Sequence, residues 1–194
     1  MSVDDKPTVS LPNADAVPTA GRPVLARSIR PGLILAAVII VCDQISKWWV
    51  VEKLMRPEGL LDTPFYTPVR IAVLPVFDLV MAWNRGVSFG ILNNDGRWNA
   101  ILLSVLSVAI SVGLVLWMRK AQSRLVLFAL GGIVGGALGN VIDRVRWGAV
   151  ADFLDVHVMG YHWPAFNLAD SAISVGAVLL VLDALFTKSS STKN

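Results

Sequence analysis

Asp143, Asp152 and Asp170 fall within 28 residues of chain, each beside a polar partner and hard against apolar sequence. The segments read Gly139-Asn140-Val141-Ile142-Asp143-Arg144, Val150-Ala151-Asp152-Phe153 and Phe166-Asn167-Leu168-Ala169-Asp170. A carboxylate at the edge of a lipid-soluble helix is costly to keep ionised, so such residues mark working sites. Two carboxyls held together share protons, which equips them to activate water against an amide. Which two pair, and at which membrane face, depends on the elements that carry them.

The 194 residues are 55% hydrophobic and 16% charged, with a mean hydropathy of +0.62. A soluble domain is about 25% charged, so the composition indicates a polytopic membrane protein. The net charge of +3 belongs to helix ends, which argues for membrane topology and against a nucleic-acid partner. Four spans can be read, at 31–51, 98–118, 125–143 and 168–186, each near the ~20 residues a bilayer requires. Arg22, Arg27 and Arg30 precede the first span, Arg119, Lys120 and Arg124 fill the loop after the second, and Lys188 and Lys193 follow the fourth. Basic residues favour the cytoplasmic side, so both termini and this loop are expected there. Residues 1–30 read as a disordered cytoplasmic tail, 31–187 as one membrane domain and 188–194 as a second tail. The first span continues apolar through Val51 with no Ala-x-Ala site, so it is expected to stay uncleaved. Cys42 is the sole cysteine and reads as a packing residue.

The two outward connections have a different texture. Val69 to Leu74, Val76 to Trp83 and Val87 to Leu92 are short β-branched or aromatic runs, punctuated by Pro75 and Asn84-Arg85-Gly86. Val150 to Val158 turns at Met159-Gly160 and returns through Trp163-Pro164. Together they predict a small antiparallel cradle over about 65–92 and 150–166. Trp48, Trp49, Trp83, Trp98, Trp147 and Trp163 fall at the same interface, where indoles favour the headgroup level.

Topology then brings the polar residues to one depth. The first span meets Asp43, Gln44 and Lys47 late, the third meets Asn140, Asp143 and Arg144 late, and the fourth meets Asn167 and Asp170 early. Asp152 lies in the outer loop between the last two. Gly131, Gly135 and Gly139 lead to Asp143 at steps of four, and Gly132 and Gly136 lead to Asn140 and Arg144. Small residues at this spacing let helices approach closely in lipid. Asp43 and Lys47 are an i, i+4 acid-then-base pair and read as structural. Asp143 and Arg144, adjacent opposite charges, read as a brace. Asp152 and Asp170 have no local cation and are the candidate catalysts. His157, His162 and Asp155 match no metal-ligand spacing, so neither metal nor cofactor is expected.

At these residues the chain resembles the bacterial lipoprotein signal peptidases (signal peptidase II). The resemblance rests on Asp43-Gln44-x-Ser46-Lys47, Asn84-x-Gly86-x-x-Phe89-Gly90, Gly139-Asn140-x-x-Asp143-Arg144, Val150-Ala151-Asp152-Phe153 and Phe166-Asn167-x-Ala169-Asp170, in order over about 31–187. Ser88, where that family more often has alanine, and the longer tail before Arg27 are departures that leave the carboxylates untouched. The resemblance implies a four-helix membrane bundle with a periplasmic β-cradle and a short surface helix. It implies a metal-independent aspartyl endopeptidase of the inner membrane that cuts diacylglyceryl-modified prolipoproteins just before the lipidated cysteine. Carried over by motif, Asp152 and Asp170 form the dyad. Asn84, Asn140, Arg144 and Asn167 match its substrate- and inhibitor-contacting shell, and Asp43, Lys47, Gly86 and Asp143 match supports of the site. The expected partners are the prolipoprotein and membrane lipids, with the enzyme a monomer.

A small proton-coupled transporter or channel subunit is the rival reading, since intramembrane Asp and Lys also mark ion pathways. It requires polar groups through both halves of the bilayer. Apart from Asp183, the inner halves of the third and fourth spans and the whole second span lack them.

Overall fold

Apolar runs of this length must hide their backbone polar groups within themselves, and in lipid the α-helix does so. A computed structural model of the chain describes residues 28–59, 65, 70–86 and 97–190. Its helices are α1 (Arg30–Trp49), α2 (Arg97–Met118), α3 (Arg124–Trp147) and α4 (Leu168–Ser190). All four are long and apolar enough to cross a membrane. The sequence reading of residues 1–27, the run Val87–Leu92 with Ser88, Phe89 and Gly90, and Lys193 fall outside the described residues.

Local signals explain the helix ends. Pro31 opens α1, where its missing N–H costs nothing. Ser123 caps α3 by accepting from the Val126 N–H at 3.1 Å. At the other end of α3, Gly148 stops the helix in the left-handed conformation, φ 72°, and returns its N–H to the Arg144 carbonyl. The helix thus runs past Asp143, where hydropathy alone ends the span, because its hydrogen bonding continues to the glycine. Likewise α4 continues past Phe186 to Ser190, into residues read as tail.

The centre of the bundle is α3, which packs on α1, α2 and α4. Its glycines make this possible. A Cβ at Gly135 would stand 2.8 Å from the Ala36 carbonyl oxygen of α1, and one at Gly136 would collide with the Ala169 carbonyl of α4. Opposite faces of one helix therefore meet two neighbours at backbone distance, the tight packing that lipid favours. By contrast α2 and α4 leave most side chains outward, among them Val105, Val112, Val178 and Val181.

The sheet sits at one end of this bundle. Its strands β1 (Arg70–Leu74), β2 (Phe77–Asn84), β3 (Val150–Val158) and β4 (Tyr161–His162) form one antiparallel sheet in sequence order. Pro75 and Val76 turn β1 into β2, and Met159 and Gly160, at φ 50° and 83°, turn β3 into β4. Asp152, in the run Val150–Val158 that the sequence assigns to the cradle, is the third residue of β3. Beneath the sheet α1 loosens into a π-helical turn, Val50–Leu54, with the Met55 N–H reaching back to the Val50 carbonyl. Val50, Val51 and Met55 pack there against Met81, Ala151 and Phe153, so an apolar plug seats the sheet on the bundle.

Replacing Gly136 with leucine is expected to force α3 and α4 apart and cost at least about 1–3 kcal/mol, the usual penalty of overpacking. Thermal unfolding of the purified protein in detergent measures this; an unchanged midpoint would contradict the backbone contact.

Candidate active site

Two asparagines connect everything at the sheet end of the bundle. Asn167 is the residue before α4, and its Oδ1 accepts from the Asp170 N–H at 2.9 Å while Asp170 Oδ2 accepts from the Asn167 N–H at 3.2 Å. This reciprocal cap satisfies orphan donors of the first turn and locks the Asp170 carboxyl over the helix N-terminus. The amide nitrogen of Asn167 donates to Asp152 Oδ1 at 2.7 Å. Asn140, on α3, donates from Nδ2 to Asp170 Oδ1 at 2.8 Å. One asparagine thus holds a carboxyl from β3 and a carboxyl from α4 side by side.

The orientation of those amides traces to Lys47. Its ammonium is fully buried and spends its three donors on Asp43 at 2.8 Å, Asp143 at 2.7 Å and Asn140 Oδ1 at 3.0 Å. An ammonium can only donate. It therefore turns the oxygen of Asn140 toward itself and leaves the nitrogen for Asp170. The two carboxylates are satisfied further: Asp43 accepts the Ala169 N–H at 3.0 Å, and Asp143 accepts the Ala151 N–H at 3.3 Å. Gln44 closes the ring, donating to Asp143 at 2.8 Å and to the Gly139 carbonyl at 3.2 Å. Gly139 must lack a side chain, because a Cβ would lie 2.8 Å from Asp43 Oδ2.

The pairing read from sequence for Asp143 changes. Adjacent residues on a helix point about 100° apart, so Asp143 meets Lys47 and Gln44 of α1, while the guanidinium of Arg144 reaches the Asn140 carbonyl at 3.4 Å. Asp43 and Lys47 do pair, as their spacing indicates. Gln44 was noted as polar but not as a site residue. Its place across α1 and α3 could not be read from either helix alone. The Asn167-x-x-Asp170 cap has the spacing of a capping box, a signal the sequence reading did not use.

Asn84 approaches from the last position of β2. Between Leu79 and Ala82 the register with β3 slips by a bulge, after which Ala82 faces Asp152 and Asn84 faces Val150. Bulges re-aim side chains next to sites. The side-chain oxygen of Asn84 accepts the Gly86 N–H at 3.0 Å, and its amide is left to bond the Asp152 carboxyl. Gly86 holds this turn at φ 94°, and a Cβ there would strike Leu103 of α2 at 2.6 Å.

Asp152 is buried, and this burial, with the Asp170 charge beside it, pushes its carboxyl up to about 7. Hydrogen bonds from Asn84 and Asn167 and the Lys47 charge act in the opposite sense without cancelling it. Both aspartates line a cleft of about 510 Å³ whose polar end holds Asn84, Asp152 and Asp170. From there Ser171, Ser174 and Val175 carry it along α4, opposite the Trp163–Phe166 segment.

The histidines stand elsewhere on the sheet. His162 Nδ1 lies 2.8 Å from Asp155, His157 faces Asp78 at 3.4 Å, and Arg70 bonds both acids. Among the described residues no group of three His, Cys, Asp or Glu is arranged to hold a metal ion.

The family model described as Signal peptidase (SPase) II matches residues 35–186. The lipoprotein signal peptidase of Methylorubrum extorquens (strain PA1) is 44% identical over 158 residues, covering 81% of this chain and 87% of that one. That of Janthinobacterium sp. (strain Marseille) is 40% identical over 159 residues, covering 81% and 90%. A bacterial membrane enzyme solved in meso at 2.3 Å superposes with a TM-score of 0.67 at 27% identity, covering 86% of this chain and 93% of its own.

Lys47→Met leaves Asp43 and Asp143 buried without their cation. Breaking one partner of such a cluster costs about 3–5 kcal/mol. Denaturation of the purified protein should show the variant strongly destabilised, and wild-type stability would remove Lys47 from the centre of the network.

Proposed function

The chain belongs to the signal peptidase II family, and we propose that Asp152 and Asp170 are the pair with which it performs that family's reaction. The protein is a multi-pass bacterial membrane peptidase that removes signal peptides from prolipoproteins. Its aspartic, metal-independent character follows from the family. The observation that carries the residue assignment is Asn167, whose side chain binds one carboxyl and caps the helix start holding the other.

In this reading the resting proton sits on Asp152. Burial disfavours its charge, whereas Asp170 accepts two N–H donors at a helix N-terminus, the better place for an anion. The Asp170 carboxylate takes a proton from water as the water oxygen attacks the scissile carbonyl carbon. Asp152 donates its proton to the carbonyl oxygen, giving a neutral tetrahedral diol. Collapse breaks the C–N bond. The proton taken by Asp170 goes to the leaving amine, and Asp152 recovers its own from the diol as the new carboxyl forms. The amine belongs to the diacylglyceryl-modified cysteine, and the signal peptide leaves with the new carboxyl.

The remaining assignments follow the same geometry. Asn84, Asn140, Asn167 and Arg144 orient the dyad and contact the substrate backbone; Asp43, Lys47, Asp143 and Gly86 hold them in place. The cleft along Ser171, Ser174 and Val175 takes the apolar signal segment from the lipid side, while the sheet covers the emerging mature chain. The basic loop Arg119–Arg124 stands at the opposite end of α3, which supports reading the sheet and dyad at the periplasmic face and the termini in the cytoplasm. Residues 31–187 act as one peptidase domain, and the enzyme is read as a monomer.

Asp152→Asn and Asp170→Asn should each abolish cleavage of a lipidated prolipoprotein by purified enzyme while the unfolding midpoint stays near wild type. Normal turnover by either variant would sink the dyad. Because Asp152 must be protonated, activity should fall as pH rises through about 7, where the donor is lost. A rate that climbs from pH 6 to 9 at saturating substrate would place the proton elsewhere.

A further inference from the structure

A second cleft, of about 710 Å³, opens at the sheet end between the first turns of α2 and the last turns of α3. Arg85, Arg144 and Arg146 line it, and among the described residues no carboxylate does. The Arg85 guanidinium lies 4.9 Å from the centre of the Phe65 ring, and that of Arg146 lies 4.5 Å from the Trp147 ring. Stacking of this kind fixes a guanidinium plane but leaves its in-plane N–H donors unspent. Neither arginine has an ion-pair partner among the described residues.

The rest of the cleft is apolar. Ile101 and Val105 lie one turn apart on α2, and Val145 of α3, 79% exposed, lines the same space. Cations at one level and an aliphatic floor beside them match a molecule with an anionic head and a hydrocarbon chain. Membrane topology does not account for these arginines, because they stand at the end opposite the Arg119–Arg124 loop, where basic residues are not favoured. The diacylglyceryl group of the substrate is uncharged and leaves the guanidiniums unanswered. A phosphate diester answers them by charge and by fork geometry.

We propose that this cleft binds a glycerophospholipid of net negative charge from the surrounding membrane, one with no headgroup cation to offset its phosphate, the phosphate held by Arg85, Arg144 and Arg146 and an acyl chain laid on Ile101, Val105 and Val145. Arg144 also feels the charges of Asp152 and Asp170, so the test leaves it in place and uses the other two.

The enzyme in neutral detergent is titrated with phosphatidylglycerol, phosphatidylcholine of the same chains, and glycerol 3-phosphate, and bound lipid is read by native mass spectrometry. Phosphatidylglycerol should be retained in preference to phosphatidylcholine, and glycerol 3-phosphate should not displace it. Arg85→Gln with Arg146→Gln should weaken retention about thirtyfold, the effect of removing two interfacial cations. Ile101→Trp, which keeps the arginines and fills the floor, should weaken it as well. If the double variant does not fold, Arg85→Gln alone should give a drop of about fivefold. Equal retention of the two lipids, displacement by glycerol 3-phosphate, or wild-type retention by the variants that fold would each overturn the proposal.

Discussion

A single buried ammonium sets the terms for the rest of the molecule. Lys47 has no access to water, so its charge is tolerable only while three acceptors surround it. Two of these are carboxylates from different helices and the third is the amide oxygen of Asn140. The requirement pulls α1 and α3 together at one depth, and Gly139 is the concession that allows it. Because the ammonium cannot accept, the polarity of each following hydrogen bond is decided. Asn140 must present nitrogen to Asp170, and Asp43 and Asp143 are left with lone pairs that the Ala169 and Ala151 N–H groups fill. The start of α4 and the start of β3 are thus tied to the same cation.

The sheet makes the complementary contribution. Its seat is apolar and its reach is polar: the π-turn of α1 supplies Val50 and Val51 for Ala151 and Phe153 to pack on, while the alternation of β3 turns Asp152 the other way. A bulge in β2 and the turn at Gly86 then deliver Asn84 to Asp152. The catalytic pair proposed for this member of the signal peptidase II family is assembled from a strand and a helix. Neither element would hold a carboxyl in that position without the Lys47 network beneath.

Much of the architecture was visible in the order of residues. Spans are legible because lipid demands long apolar runs, and turns at Pro75 and Met159-Gly160 because few residues accept those conformations. What hydropathy does not mark is where α3 ends, since a helix stops where its hydrogen bonds stop, at Gly148, and not where charge first appears. Asp143 and Arg144 looked like a pair because they are adjacent. On a helix adjacency means divergence, and each met a different neighbour. Gln44 stayed unassigned for the same reason, since its partners lie 95 and 99 residues away.

Residue type and spacing alone determined that carboxylates and amides converge at one end of a membrane bundle, since span direction dictates the depth at which each polar group appears. They also determined that α3 can approach its neighbours closely, because its glycines recur at steps of four. Which acid binds which cation, which way each asparagine faces and which carboxyl is kept from water were decided only in the folded chain. Those choices depend on donors and acceptors brought within about 3 Å from distant segments, and one-dimensional spacing carries no such distance.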